Sequence, residues 1–238
     1  MNFLSLSGFA QKPDALAPVL DGLIANSNIT YFDYNQFTNF ADFVETIKQS
    51  APAPEIIIGW SLGAQLAARL VAAQIFQPKL LILFCAPFQF ISSSDFVYGI
   101  DQEIFKQFYN EFIANPNDCL KKFSALMVKN DPNLTPKSAP ILKVDDKNFA
   151  QLIFWLEELG RFSCASFNLD FNSFPRTLII HGANDLVISS EQSKIFAEKI
   201  SNSRLEILAN CAHIPYLSAT KKIREMIKEE VNKTFSLI

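Results

Sequence analysis

Short apolar runs alternate with amphipathic helical patterns in the first third of the chain. Runs rich in β-branched and aromatic residues at 3–6, 29–34 and 56–58 predict strands, while apolar residues recur at helical spacing over 15–24 and 40–48. Alternation at such short intervals is typical of right-handed βαβ units that build a parallel sheet. We therefore predict an α/β fold for this part of the chain.

The middle of the chain interrupts that alternation. A continuous apolar run at 80–84 predicts a strand buried on both faces, but only helical patterns follow it, over 101–114, 117–128 and 148–159. Strand patterns resume at 176–182 and 204–208, and helical patterns at 189–200 and 218–231.

The whole pattern predicts one mostly parallel sheet of about six strands with helices on both faces. Residues 1–86 and 173–238 form this core, and residues 87–172 are an inserted helical lid. A sheet of this kind binds ligands at the carboxyl ends of its strands, so the lid is expected to cover that edge.

A Gly-x-Ser-x-Gly turn joins the third predicted strand to the helical pattern after it. The motif Gly59-Trp60-Ser61-Leu62-Gly63 lies between an apolar run and an Ala/Leu-rich stretch, in a chain with seven glycines among 238 residues. In this context the motif predicts a nucleophile elbow that raises the Ser61 hydroxyl above the sheet. The Leu62 N–H, at the start of the helix, is the first predicted oxyanion donor, and the Phe9 N–H, in the turn after the first strand, is the second.

Two histidines are candidates for the base that a serine nucleophile needs. His213 lies in the loop after the last predicted strand and can return over the carboxyl edge of the sheet, whereas His181 ends a strand and is interpreted as structural. Asp185, just beyond that strand, is the predicted acid that orients the imidazole, and Asp170 is a weaker alternative. The sequence therefore predicts a Ser61, His213 and Asp185 triad.

Composition narrows the possible partners. The net charge is −3 and the pI is about 5.5, and no basic run exceeds two lysines, so neither a nucleic acid nor a membrane surface is expected as a partner. No apolar run is long enough to span a bilayer, and the amino terminus has no secretion signal, so we expect a cytoplasmic protein. The cysteines, none of which has metal-ligand or disulfide-framework spacing, are expected to be reduced and buried: Cys85, Cys119, Cys164 and Cys211.

With these residues in place, the chain resembles the lid-bearing α/β-hydrolases over essentially its whole length. Within them it is most similar to the pimeloyl-acyl-carrier-protein methyl ester esterases of biotin synthesis. The resemblance is carried by the elbow, by the acid loop ending Asp185-Leu186-Val187, by the base loop around His213, and by the lid segment Lys122-Phe123-Ser124-Ala125-Leu126.

The resemblance implies further site residues. It places the aromatic walls of the substrate pocket at Phe9 and Phe123, and Trp60 in the elbow is a further candidate for substrate contact. The family uses lid arginines to hold an acidic carrier protein, and here Lys121, Lys122 and Arg161 are the candidates for that role. The lid as a whole has eight Lys/Arg against eleven Asp/Glu, so any carrier must dock on a local basic patch.

These features predict a cytoplasmic, monomeric serine carboxylesterase without metal or cofactor, whose substrate is a pimeloyl-acyl-carrier-protein methyl ester. A second hypothesis keeps the scaffold and changes the substrate, to a short-chain ester, a thioester or a carbon–carbon bond. A third hypothesis is a binding protein of the same fold that performs no catalysis. A deep apolar channel under the lid would favour the first hypothesis over the second.

Overall fold

The computed structural model describes residues 1–51, 53–144, 148–167 and 169–236. Residues 145–147 and 168, which belong to the predicted lid, therefore lie outside the described residues. One sheet of six strands forms the centre of the molecule, in the order β2-β1-β3-β4-β5-β6. The strands are β1 (Asn2–Leu6), β2 (Asn28–Tyr31), β3 (Ile56–Trp60), β4 (Leu80–Phe84), β5 (Arg176–Gly182) and β6 (Ser203–Leu208).

Nine α-helices are assigned within the described residues. They are α1 (Ala17–Leu20), α2 (Phe40–Ser50), α3 (Leu62–Ala72), α4 (Gln102–Ala114), α5 (Pro116–Val128), α6 (Phe149–Arg161), α7 (Glu191–Lys199), α8 (Pro215–Ser218) and α9 (Thr220–Phe235).

Every strand pairing in the sheet is parallel, so the predicted "mostly parallel" sheet has no antiparallel member among the described strands. Each residue of β3 and β4 is buried, as expected for central strands covered by helices on both faces. The chain reverses its direction of winding at β1, which pairs with β2 on one side and β3 on the other. Ligands of doubly wound sheets bind at such a switch point, and both the elbow turn and the turn after β1 lie there.

The first helical pattern, at 15–24, is shorter in the structure than the sequence indicates. A 3-10 turn at Pro13–Leu16 precedes the four residues of α1. Pro18 has no N–H to donate, so a continuous helical hydrogen-bond ladder cannot pass through this stretch. Gly22 then adopts a left-handed φ of 61° beyond the end of the helix.

Between β4 and β5 the described chain contains helices and isolated bridges but no named strand. This segment packs on the core through buried polar contacts as well as aromatic ones. The Trp155 indole N–H donates to the Tyr34 carbonyl oxygen at 2.7 Å, and Arg69 on α3 pairs with Glu158 on α6 at 2.9 Å.

In the part of the chain that the structure describes, no helix has the length and apolar character needed to cross a bilayer. The division into core and lid stays a prediction.

Candidate active site

The turn between β3 and α3 holds Ser61 in a strained backbone conformation. Its φ of 54° and ψ of −120° belong to a region that residues other than glycine rarely occupy, at a cost of about 1–3 kcal/mol. Hydrogen bonds fix the strained residue from both sides: its N–H donates to Phe84 O at 2.9 Å, and its carbonyl accepts from the N–H groups of Ala64 and Gln65. The predicted elbow geometry is therefore present, with Ser61 5% exposed at the end of β3.

Two glycines allow the strand and the helix of the elbow to approach closely. A Cβ on Gly59 would lie 2.4 Å from the carbonyl oxygen of Gly63, and a Cβ on Gly63 would lie 2.1 Å from that of Leu6. Neither contact can be relieved by rotating a side chain, because the opposing atoms are backbone. The spacing of the motif is thus required by the packing of α3 against β1 and β3.

Asp185 and His213 form a buried hydrogen-bonded pair. His213 Nδ1 lies 2.7 Å from Asp185 Oδ2, and the N–H groups of Val187 and Ile188 donate to Asp185 Oδ1 at 2.8 and 3.0 Å. Burial raises the pKa of this carboxyl group, but the two neighbouring imidazoles, of His213 and His181, outweigh burial and lower the pKa below its usual range. Asp185 is therefore ionised at neutral pH and accepts the Nδ1 proton of His213.

The other ring nitrogen of His213 is available for proton transfer. Nε2 is buried and has no hydrogen-bond partner among the described residues, so no hydrogen bond joins it to the Ser61 hydroxyl in this structure. With the proton on Nδ1, a neutral imidazole presents an acceptor at Nε2. The structure thus joins the predicted acid and base directly, and it places the predicted nucleophile in the elbow without a hydrogen bond to the base.

The second histidine lies behind the acid. His181 is fully buried, and its Nε2 lies 3.0 Å from Ile188 O and 3.1 Å from Asp185 Oδ2. Two acceptors around Nε2 place the proton there, which leaves Nδ1 to accept from Ser193 Oγ at 2.6 Å. His181 therefore does not compete as the base, but it contacts the acid, which the sequence did not indicate. Asp170, the alternative acid, is exposed and accepts from the Asn172 N–H in a local turn.

Two backbone donors are free near the elbow. Within the described residues, neither the Phe9 N–H nor the Leu62 N–H donates to a protein acceptor, although Ala64 and Gln65 in the same helical turn do. Their assignment as an oxyanion hole stays a prediction.

Phe9, in the turn after β1, contacts two aromatic residues of the predicted lid. The ring centroid of Phe9 lies 5.9 Å from that of Phe112 on α4 and 6.4 Å from that of Phe123 on α5. The two residues predicted to line the pocket, Phe9 and Phe123, are thus brought together. Trp60 is fully buried, and its indole N–H donates to the carbonyl oxygen of His213, so the structure gives it a contact with the base; substrate contact by Trp60 stays a prediction.

A cavity of about 870 Å³ begins next to the predicted oxyanion turn. Ala10 and Gln11 line it together with Leu152 from α6 and with Tyr216 and Leu217, which follow the base loop. Ser61 is not one of its lining residues, so the deep apolar channel over the nucleophile stays a prediction.

The three candidate carrier contacts differ in their present partners. Lys122 pairs with Glu111 at 3.1 Å and Arg161 pairs with Glu158, whereas Lys121 is exposed beside two surface depressions. Two of the three cations are therefore already partly neutralised by neighbours on the lid.

One group of side chains in the described residues has the composition of a metal site. Donor atoms of Cys85, Asp185 and His213 lie within 4.8 Å of one another. Burial, and the nearby Asp185 carboxylate, raise the pKa of the Cys85 thiol well above its usual value, which favours the neutral thiol beside the Asp185–His213 pair. The expectation that no metal is needed stays a prediction.

Comparison with known proteins identifies the family of the chain. The family model described as alpha/beta hydrolase fold matches residues 4–220. The chain is 26% identical over 192 residues to a pimeloyl-acyl-carrier-protein methyl ester esterase of Nitrosospira multiformis, covering 76% of this chain and 70% of the relative. It is 26% identical over 201 residues to the protein of the same name from Legionella pneumophila (strain Corby), covering 83% and 79%.

Solved structures support the same fold. An esterase from Exiguobacterium antarcticum superposes with a TM-score of 0.82 at 20% identity, covering 98% of this chain and 92% of that one. These matches confirm the predicted fold class and the predicted family resemblance. The chain belongs to the alpha/beta hydrolase fold family.

Proposed function

We propose that this chain is a serine carboxylesterase in which Ser61 is the nucleophile, His213 the general base and then the general acid, and Asp185 the residue that orients it. That the chain is a carboxylic ester hydrolase rests on its family and on the esterases to which it is similar. The assignment of the three residues rests on one observation. The Asp185–His213 pair, in which His213 Nε2 has no partner among the described residues, lies on the same sheet edge as a strained Gly-x-Ser-x-Gly elbow.

The proposed reaction has two halves. His213 Nε2 takes the proton of the Ser61 hydroxyl as the oxygen attacks the ester carbonyl, and then gives that proton to the departing alcohol. Water attacks the resulting acyl-enzyme with the same base, which releases the carboxylate and restores Ser61. Asp185, ionised because two imidazoles lower its pKa, stabilises the imidazolium formed in each half.

The oxyanion formed in each half is proposed to accept from the N–H groups of Leu62 and Phe9. Both donors are unpartnered in the described residues, and the Leu62 N–H lies at the positive end of α3. Loss of one such donor costs about 3–4 kcal/mol of transition-state stabilisation in other hydrolases.

We infer that the substrate is a pimeloyl-acyl-carrier-protein methyl ester, from which methanol leaves and the pimeloyl carboxylate is freed. The names of the relatives support this choice, and so does the aromatic cluster of Phe9, Phe112 and Phe123, which suits a hydrocarbon chain. A general short-chain esterase, thioesterase or carbon–carbon hydrolase is the alternative, since the cavity next to the predicted oxyanion turn does not include Ser61 in its lining.

A carrier protein would meet the lid at Lys121, Lys122 and Arg161. Lys121 is the exposed cation of this set that has no acidic partner among the described residues, and it lines two depressions on the lid surface. The cytoplasmic location and the monomeric state remain parts of this proposal.

Hydrolysis of the carrier methyl ester by the wild-type protein and by Ser61→Ala, with a p-nitrophenyl short-chain ester in parallel, tests the proposal. We expect fast cleavage of both esters and a loss of roughly 10⁶-fold in the variant, as for other triad nucleophiles. Cleavage of only the small ester would overturn the substrate and keep the triad. An unchanged rate in Ser61→Ala would overturn the triad, and a wild-type protein that neither cleaves esters nor reacts with a serine-directed phosphonate would favour the binding protein.

A further inference from the structure

The end of lid helix α5 is hydrogen-bonded to both loops that carry the proposed acid and base. We call residues 127–133 the lid clamp. Its bonds to the base loop run from His213 N–H to Met127 O at 3.2 Å and from Asn133 Nδ2 to Asn210 O at 2.9 Å. Its bond to the acid loop runs from Asn184 Nδ2 to Asn130 O at 2.9 Å.

Asp131 is the one buried carboxylate of the clamp, with 5% exposure. Its Oδ2 accepts the N–H of Ala212 at 2.9 Å. Its Oδ1 accepts the Asn133 N–H and the Ser218 hydroxyl, each at 2.9 Å. The two oxygens therefore have different partners: Oδ1 closes a local turn and binds the last residue of α8, and Oδ2 binds the residue next to the base.

The bond to Ala212 completes the restraint of the base backbone. The His213 N–H, which donates to Met127 O, fixes the peptide plane that leads into His213, and the Ala212 N–H, which donates to Asp131, fixes the peptide plane before it. The plane that leaves His213 is fixed by its carbonyl oxygen, which accepts the Trp60 indole N–H at 2.8 Å. With both planes held, the Cα–Cβ direction of His213 is set before its imidazole reaches Asp185.

A purely local role does not account for this geometry. An aspartate that only capped its own turn would need one oxygen, as Asp101 does when its Oδ1 accepts the N–H groups of Glu103 and Ile104 at the start of α4. Asp131 instead reaches across 81 positions of sequence to Ala212. A charged acceptor gives such a bond more strength than a neutral one.

We propose that Asp131 is a positioning residue for the general base, so that the lid clamp is part of the catalytic apparatus and does not open with a mobile lid. The inference rests on the proposed function, because it assigns Asp131 a task only if His213 is the base. It extends that function to a residue that does not touch the substrate.

The test is Asp131→Asn, with Asp101→Asn as the matched lid control. The amide keeps an acceptor for the local turn but presents N–H groups to the Ala212 N–H, so one donor faces another. We expect kcat per phosphonate-titrated site to fall by about 10²-fold, the size of effect that a displaced catalytic group produces, with KM unchanged for the p-nitrophenyl ester. The proton NMR signal of the His213 Nδ1–H, identified by its loss in His213→Asn, is expected to shift in Asp131→Asn and to stay in place in Asp101→Asn.

The outcomes distinguish a role of Asp131 in positioning His213 from a role in the stability of the fold alone. A kcat per titrated site and an Nδ1–H signal that both match Asp101→Asn would overturn the proposal, whatever the melting temperature. If Asp131→Asn does not fold, Asp131→Ser, which leaves room for water at the Ala212 N–H, takes its place with the same expectation. If the phosphonate fails to label Ser61 in the wild-type protein, the proposed function itself is overturned. If it labels Ser61 and the Asp131 variant has the kcat of the wild type, only this inference is overturned.

Discussion

Trp60 donates its indole N–H to the carbonyl oxygen of His213 at 2.8 Å and so joins the elbow to the base loop across 153 positions of sequence. The rings of the two residues are also in contact, with centroids 5.6 Å apart. The carbonyl oxygen of His213 is buried, and the Trp60 indole N–H is its hydrogen-bond donor. The residue next to the nucleophile therefore helps to hold the base.

Trp60→Phe is predicted to lower kcat while leaving most of the ring packing in place. A buried carbonyl left without its donor costs about 1–3 kcal/mol, and part of that cost is expected as displacement of His213. Ester hydrolysis and thermal unfolding measure the two effects separately. Trp155→Phe is the matched control, since it removes a buried indole N–H from the Tyr34 carbonyl, far from the proposed triad in sequence. Equal losses of kcat in both variants would contradict the role given to Trp60.

The two histidines are predicted to differ strongly in their contribution to activity. His213→Asn removes the proposed base and is expected to lower kcat by roughly 10⁶-fold. His181→Asn removes one hydrogen bond to the ionised carboxylate of Asp185, worth about 1.5–3 kcal/mol, and is expected to cost about ten- to a hundredfold. Because His181 helps to lower the pKa of Asp185, that pKa is expected to rise in the variant. Initial rates of both variants with one ester test this prediction. A larger loss of rate in His181→Asn than in His213→Asn would contradict it.

Gly182→Ala is predicted to displace the loop that carries His213. A Cβ at this position would lie 2.1 Å from Ala212 O and 2.4 Å from Cys211 O, so the base loop must move away from β5. We expect a loss of activity of about 10²-fold, because misplacement by about 1 Å is enough for that effect. Gly22→Ala is the control: it also alters a glycine, but its Cβ would meet no atom within 4 Å and only its left-handed φ is strained. Crystal structures and kcat of the two variants would show whether the loop has moved.

Stability in acid is predicted to depend on Glu230. Its carboxyl group is buried, but hydrogen bonds from Arg176 at 2.5 Å and Arg204 at 3.0 Å outweigh burial and lower its pKa. A lowered pKa stabilises the fold above the unfolded value of about 4.3, and this stabilisation is lost as the pH falls through that value toward the folded pKa. The melting temperature of Glu230→Gln is therefore expected to be lower than that of the wild type at pH 7 and to change less with acidification below about pH 5. Parallel curves for wild type and variant would contradict this assignment, and Glu225→Gln, at an exposed position of the same helix, serves as control.

Lys121→Glu is predicted to separate carrier docking from chemistry. Reversal of an exposed lid charge should raise KM for the carrier methyl ester and leave hydrolysis of the p-nitrophenyl ester unchanged. The effect on the carrier substrate should shrink as salt is added, because the attraction is between exposed charges. A uniform loss for both substrates would indicate a folding defect, and no change for either would remove Lys121 from the docking surface.

The sheet was predictable because its signals are local. The run at 80–84 is continuous and apolar, and the run at 176–182 follows Pro175 and has an apolar centre at 178–180; the structure places β4 and β5 at those positions. The residues of the proposed triad could be named from the sequence because each follows a strand in an order typical of the fold, and their roles stay a prediction. Pro18 shortened the first helix, an effect of one missing N–H that apolar spacing does not register.

The supports of the site were not predictable, for a different reason. Asp131 occurs in an Asn-Asp-Pro-Asn stretch that reads as an ordinary turn, and its bond to Ala212 depends on how the lid packs on the base loop. His181 was interpreted as structural, yet burial behind Asp185 gives it a contact with the acid. Trp60 was expected to face substrate, and its own hydrogen bond to His213 was visible only once the loops were in place. Contacts between residues far apart in the sequence leave no periodic pattern from which they could be predicted.

The parallel sheet also orders events during synthesis. All elements that hold the elbow, β1, β3, α3 and β4, lie in the first 84 residues, but His213 and the strand before it come from the last part of the chain. Domains whose pairings are distant in sequence must close long loops before those pairings form. A nascent chain that ends before residue 213 therefore lacks the imidazole proposed as the general base, and hydrolysis by the proposed triad requires the carboxyl-terminal segment of the chain.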